Sequence, residues 1–180
     1  KNLISVDYFK REEMQVLNAV PTAEGAVQIA MEEMDITLHG SNSMVLGYGR
    51  IGETLAKTLK GVGANVYVAA RKPEDLAWIK NNGLNPVPLS ELQYYLSKMD
   101  VIFNTIPEVI LHEDLLARIQ KNTIFIETAS KPGGIDINAA EDLGIKIVPA
   151  QGLPGKVAPV TAARVIKDTI YNIIGEIEEK

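Results

Sequence analysis

The feature that most narrows what this chain can fold into is Gly47-Tyr48-Gly49-Arg50-Ile51-Gly52, which follows the apolar run Met44-Val45-Leu46 and opens a helical stretch. Glycines at the first, third and sixth positions serve different ends. The first permits a tight turn, the second lets backbone approach a pyrophosphate, and the third lets helix and strand pack closely. The helix N-terminus adds N–H donors and positive potential. The pattern alone is weak. Its place between a strand and a helix, with more such units downstream, makes it read as a dinucleotide-binding loop with Gly47, Tyr48, Gly49, Arg50, Ile51 and Gly52 as its residues.

From Ser43 onward short β-branched runs alternate with helical stretches, the signature of βαβ units and a parallel sheet covered on both faces. Strands are expected over 44–46, 65–69, 86–88, 101–104, 123–127 and 146–148, with crossover helices over 50–59, 73–80, 90–96, 113–119 and 137–143. The fold class is therefore α/β, a doubly wound six-stranded parallel sheet of the Rossmann type, over residues 43–159. A last helix, 160–178, is expected to bury Val165, Ile166, Ile170, Ile173 and Ile174. Upstream, Met14, Leu17 and Val20 recur at helical spacing, and Pro21-Thr22 is expected to start a second helix with Thr22 as its N-cap. The chain opens on Lys1, and residues 1–42 read as the end of an upstream domain with its connecting helix.

Composition excludes several functions. There is no cysteine, so disulfides, thiolate metal sites and a cysteine nucleophile are out; with two histidines, His39 and His112, a histidine-based metal site is not expected. A net charge of −5 argues against a nucleic-acid partner. No apolar run is long enough to span a bilayer. These features together suggest a cytoplasmic location.

In such a unit a carboxylate near the end of the second strand commonly holds the adenosine ribose. Here the sequence reads Ala69-Ala70-Arg71-Lys72. The methyl of Ala70 cannot accept a ribose hydroxyl. Arg71 and Lys72 suit a 2′-phosphate, the guanidinium by paired N–H donors, so NADP is favoured over NAD. Read as plain solvated residues before a helix, the same two bases leave NAD open. Glu74 and Asp75 are explained by the dipole of that helix.

Ligands bind outside the carboxyl ends of the strands where the winding reverses. Loops at 47–52, 104–108, 127–134 and 150–159 are expected to converge there. Asn104, Thr105, Ile106 and Pro107 are candidates to line the nicotinamide ribose. Ser130, Lys131, Gly155 and Lys156 are candidates for a substrate carboxylate, since each lysine stands beside glycines that expose backbone N–H groups; both lysines also fit ordinary surface positions. A histidine in the last loop, which an alcohol oxidation would use as acid and base, is absent, and no catalytic residue is assigned.

Taken together, "NAVPTAEGA", "GYGRIGETLAKTLK", "AARK", "FNTIP", "ASKPGG" and "GLPGKVAP" resemble the dipicolinate synthase A-subunit family over nearly the whole chain. The "PTAEG" helix is similar to the one linking the two domains of D-2-hydroxy acid dehydrogenases. The resemblance implies NADP-dependent oxidation of a dihydrodipicolinate-type dicarboxylate to dipicolinate, a flavoprotein-like second subunit, and the mother cell of endospore-forming bacteria. Oxidising a dihydropyridine to an aromatic ring asks less of an acid/base side chain than oxidising an alcohol does. Exposed apolar ends are expected to be hidden by self-association or by another chain, and turnover to need an upstream domain. A binding or sensing module without chemistry is the competing class. An S-adenosylmethionine methyltransferase is disfavoured by Ala70.

Overall fold

The computed structural model describes residues 5–179, so Lys1 lies outside the described residues. After a short 3-10 turn, Tyr8–Lys10, the elements are α1 (Glu12–Glu33), β1 (Asn42–Leu46), α2 (Arg50–Gly61), β2 (Asn65–Ala70), α3 (Pro73–Asn81) and β3 (Asn85–Pro88). Then follow β4 (Val101–Asn104), α4 (Glu113–Leu116), β5 (Ile124–Glu127), α5 (Ile137–Asp142), β6 (Lys146–Pro149), α6 (Leu153–Val157) and α7 (Pro159–Glu178).

The six strands form one parallel sheet in the order β3-β2-β1-β4-β5-β6. Strand side chains alternate between faces, and both faces are covered here. Val45, Val68, Phe103 and Ile126 point into one core with α1, α2 and α3. Met44, Leu46, Ile102 and Phe125 point into the other, with Leu111, Leu116 and Ala140. Burial on both sides explains why the strand sequences are nearly uninterrupted apolar runs. The winding reverses between β1 and β4, which pair as Leu46 with Asn104 at their carboxyl ends. The loops that leave these two strands therefore open side by side.

The N-terminal segment corrects an expectation. It holds one continuous helix, α1, with Pro21 inside it. Thr22 is not an N-cap; its hydroxyl donates to the Asn18 carbonyl at 2.8 Å within the helix. A mid-helix proline costs about 3 kcal/mol. Burial of Met14 and Ala19 before it, and of Ala23, Ala26 and Ala30 after it, supplies the packing that keeps the two halves on one axis. The alanines bring α1 close to α2, in the same core as Val45 and Leu55.

Two other helices differ. Residues 90–96 form 3-10 turns, Leu89–Tyr94 and Leu96–Lys98, although Leu92 and Leu96 are buried as their spacing requires. In α7 the buried face is Ala162, Val165, Thr169 and Ile173, while Ile170 and Ile174 stay 39% and 43% exposed. α7 packs against α1 and α6. At the other end of α7, Glu176 takes two guanidinium N–H bonds from Arg11, at 2.8 and 2.6 Å.

Candidate functional site

A cleft of about 700 Å³ opens along the carboxyl ends of β2, β1 and β4, a size usual for cofactor sites. It is walled by Gly47, Tyr48, Gly49, Arg50, Ile51 and Gly52, by Ala70, Arg71 and Lys72, and by Thr105, Ile106 and Pro107. Every residue the sequence assigned to cofactor contact is thus at the cleft except Asn104, which is fully buried. Asn104 instead holds the loop that does line it: its side-chain amide donates to the Ile106 carbonyl at 2.8 Å and accepts from the Ile106 N–H at 3.1 Å.

The glycine loop shows how its residues divide the work. A side chain on Gly47 would meet Thr105 Oγ1 at 2.5 Å and Ile106 Cγ1 at 2.9 Å, and one on Gly52 would strike the Gly47 carbonyl. Those two glycines let β1, α2 and the loop after β4 pack. A Cβ added at Gly49 would meet nothing beyond its own chain neighbours within 4 Å. The space in front of Gly49 belongs to the cleft, and among the described residues no side chain caps the N-terminus of α2 behind it. Gly49 thus leaves the N-terminal N–H groups of α2 uncapped beside open space in the cleft. Thr105 closes the junction, its hydroxyl donating to the Leu46 carbonyl at 2.8 Å. Tyr48 is held by an N–H bond from Asn82 at 2.9 Å, which ties the glycine loop to the far end of α3.

At the β2 end of the cleft, Ala70 presents only a methyl. Arg71 and Lys72 are exposed at the cleft edge, and among the described residues neither makes an ion pair or a side-chain hydrogen bond. Asp75, which the sequence explained through the α3 dipole, also lines this end. Arg50 is engaged: its guanidinium donates to the Glu12 carboxylate at 2.8 and 2.5 Å. That bond raises the affinity of Arg50 for its proton and holds the Glu12 carboxyl below its usual range.

The substrate candidates lie elsewhere. Ser130, Lys131, Gly155 and Lys156 are exposed and do not line the cleft. The "GLPGK" stretch, expected as a loop, becomes helix α6, whose Leu153 and Val157 pack on α1 where Gly25 leaves room: a side chain there would meet both at 3.1–3.2 Å.

The sequence missed the contribution of α1. Met14, Gln15, Asn18, Ala19 and Thr22 of α1 line the cleft, with Phe9 from the turn before it. Positions 14, 15, 18, 19 and 22 form one helical stripe. That stripe was readable only with α1 taken as one helix through Pro21. Leu89 and Ile110 also line the cleft without a sequence signal, and Glu108 does so as part of the 104–108 loop expected there.

Residues 13–136 match the family described as D-isomer specific 2-hydroxyacid dehydrogenase, NAD binding domain. The chain is 40% identical over 173 residues to the dipicolinate synthase A-subunit of Bacillus subtilis (strain 168), covering 96% of this chain and 58% of that one. The crystal structure of the same dipicolinate synthase polypeptide from Bacillus subtilis superposes with a TM-score of 0.94 at 40% identity, over 97% of this chain and 58% of that one. That of the A-subunit from Bacillus halodurans gives 0.91 at 40% identity, over 93% and 58%. The chain thus spans a little over half the length of these relatives. The matched span holds the glycine loop, the Ala70–Lys72 edge and the Asn104–Pro107 loop that wall the cleft. This chain therefore belongs to the D-isomer specific 2-hydroxyacid dehydrogenase NAD-binding domain family, as a homologue of the dipicolinate synthase A-subunit.

Proposed function

We propose that the chain binds NADP as part of an oxidoreductase that converts a dihydropyridine dicarboxylate into dipicolinate. The observation that carries the cofactor choice is the β2 end, where Ala70 offers no ribose acceptor and Arg71 and Lys72 stand at the cleft edge without an ion-pair partner among the described residues. Two such cations can pair with a 2′-phosphate, and a guanidinium does so through two parallel N–H bonds. The open space at Gly49 beside the end of α2 fits the pyrophosphate, and the surface of Thr105, Ile106 and Pro107 fits the nicotinamide ribose.

The name of the relatives supports the substrate. Bound nicotinamide would supply the hydride acceptor; the dihydro ring would give up a hydride and a proton and become aromatic. The residues of this chain bind and orient, and among the described residues none of those lining the cleft is a histidine. The chemistry suits such a site because aromatisation drives the loss. The relatives' being named as one subunit of a synthase also supports a partner polypeptide.

The exposed positions of Lys131 and Lys156 favour a second reading, in which this chain binds the dinucleotide without turnover. Titration with NADPH and NADH, followed by nicotinamide fluorescence and melting temperature, tests the cofactor. Tighter NADPH binding is expected; equal affinity would reject the assignment to Arg71 and Lys72. Dipicolinate formation from a dihydropyridine dicarboxylate separates enzyme from binding module.

A further inference from the structure

Glu127 ends β5, a strand otherwise made of Ile124, Phe125 and Ile126, and its side chain is 8% exposed. Burying a carboxylate is costly unless hydrogen bonds replace water. Three N–H groups do so here. Oε1 accepts from the Asn104 side-chain amide at 2.7 Å and from the Ala129 backbone at 2.9 Å, and Oε2 accepts from the Gly134 backbone at 2.9 Å.

These three donors belong to two loops. Ala129 and Gly134 bracket the loop that contains Ser130 and Lys131. Asn104 begins the loop after β4 and fixes Ile106 at both its backbone polar groups. The far end of that loop is tied as well, because the Gly134 carbonyl accepts from Ile110 and Leu111 at 3.0 Å each. Thr128 adds a backbone bond to the Asn104 carbonyl at 3.0 Å. Ile106, Pro107, Glu108 and Ile110, which line the cleft, all lie between these attachment points.

The glycines of "KPGG" exist for this contact. A side chain on Gly133 would meet Glu127 Oε2 at 2.9 Å, and one on Gly134 would meet Asn104 Cγ and Oδ1 at 2.5 and 2.6 Å. The loop can close over the carboxylate only with no side chain at either position.

We infer that Glu127 is a positioning residue: its buried carboxylate locks the loops at 105–111 and 128–134 into one frame that shapes the nicotinamide half of the cleft. It does not line the cleft and acts through Ile106 and Ile110. The inference rests on the reading of this cleft as a nicotinamide dinucleotide site. Glu127→Gln is the cleanest probe. One amide oxygen can keep Asn104 and Ala129, but the amide NH2 cannot accept from Gly134.

The test measures hydrogen exchange across 105–111, 128–134 and a reference segment in α2, together with affinity for NADPH and for 2′,5′-ADP, which carries only the adenosine half. In Glu127→Gln, exchange is expected to accelerate roughly tenfold or more in both loops together and not in α2, as loss of one hydrogen bond to a charged group implies. NADPH affinity is expected to fall about tenfold while that for 2′,5′-ADP holds. Faster exchange in only one loop, or in neither, overturns the frame. An equal fall for both ligands overturns the assignment to the nicotinamide half. If the wild-type chain bound neither ligand, the dinucleotide reading would fail, and the exchange measurement would still decide whether the two loops are coupled. Glu127→Asp, whose shorter carboxylate cannot reach all three donors, is expected to fall between wild type and Glu127→Gln on both readouts.

Discussion

Gly49 lines the cleft, Gly134 does not, and the two are used in opposite ways. Before Gly49 the space is open, and a Cβ added there would meet nothing beyond its own chain neighbours within 4 Å. Before Gly134 the space is filled by Asn104, itself bound to a buried carboxylate. On the proposed reading, the first glycine makes room for a bound pyrophosphate. The second makes room for the protein's own wiring. On the proposed reading the adenosine half is thus a set of exposed donors, Arg71, Lys72 and the uncapped end of α2, that would gain partners with ligand. On the proposed reading the nicotinamide half is a surface held in shape by the hydrogen bonds of Asn104 and Thr105, with Glu108 its one exposed charge.

The sharpest way to break this contrast is a matched pair of substitutions. Gly49→Val is expected to lower NADPH affinity by more than about a hundredfold, because the side chain fills the pyrophosphate space, while the melting temperature stays near wild type. Gly134→Val is expected to do the reverse, destabilising the fold by about 1–3 kcal/mol or more through overpacking on Asn104. Normal binding by Gly49→Val would reduce the glycine loop to a packing motif. Unchanged melting of Gly134→Val would mean that the second loop is not fixed as described.

Arg71→Ala tests the charged character of the adenosine half. Loss of a guanidinium–phosphate contact should cost about 1.5–3 kcal/mol for NADPH, roughly ten- to a hundredfold, with NADH nearly unaffected. Equal weakening of both cofactors, measured by fluorescence titration, would place Arg71 on some other part of the ligand.

Tyr48→Phe probes the tie between the glycine loop and α3. Removing the hydroxyl leaves the ring packed and frees the Asn82 amide. Since the site is partly open to water, a loss at the lower end of about 0.5–1.5 kcal/mol is expected in chemical denaturation. A larger loss would show that the adenosine half is less independent of its scaffold than the contrast supposes.

The smallest effect belongs to the Glu12–Arg50 pair at the cleft mouth. Arg50 holds the Glu12 carboxyl below its usual range, so the contribution of the pair is present above the ordinary carboxylate pKa and is lost as pH falls through the depressed value. Both groups are exposed, and water and salt screen them. Glu12→Gln should therefore differ only slightly from wild type in melting temperature at neutral pH, and the difference should vanish on acidification. A difference that grew on acidification would show that the pair does not hold in solution.

The sheet was legible because strands buried on both faces leave continuous apolar runs, and the glycine loop because its spacing coincides with a strand-to-helix junction. The Arg71–Lys72 edge followed from the same register. What escaped the sequence escaped for local reasons. Pro21 obeys a rule of short-range sterics that packing of Ala19, Ala23, Ala26 and Ala30 overrides, so the stripe Met14, Gln15, Asn18, Ala19, Thr22 was hidden behind a false helix boundary. Lys131 and Lys156 stay exposed outside this cleft, and the glycines beside them serve contacts with Glu127 and Asn104 in one case and cap or lie in a helix packed on α1 in the other. Glu127 itself gave one weak sign, a carboxylate closing an apolar strand. Its partners are mostly backbone N–H groups, which no residue pattern reveals.

The bidentate bond from Arg11 to Glu176 also bears on connectivity. It places the start of α1 and the end of α7 within the reach of two side chains, although 165 positions separate them. A short linker joining those two points would close the chain with little loop entropy, and a new opening could be cut at a surface turn such as Asn82-Gly83. The strand order would be unchanged by such a circular permutation, because each strand is placed by its neighbours in the sheet and not by its position along the polypeptide.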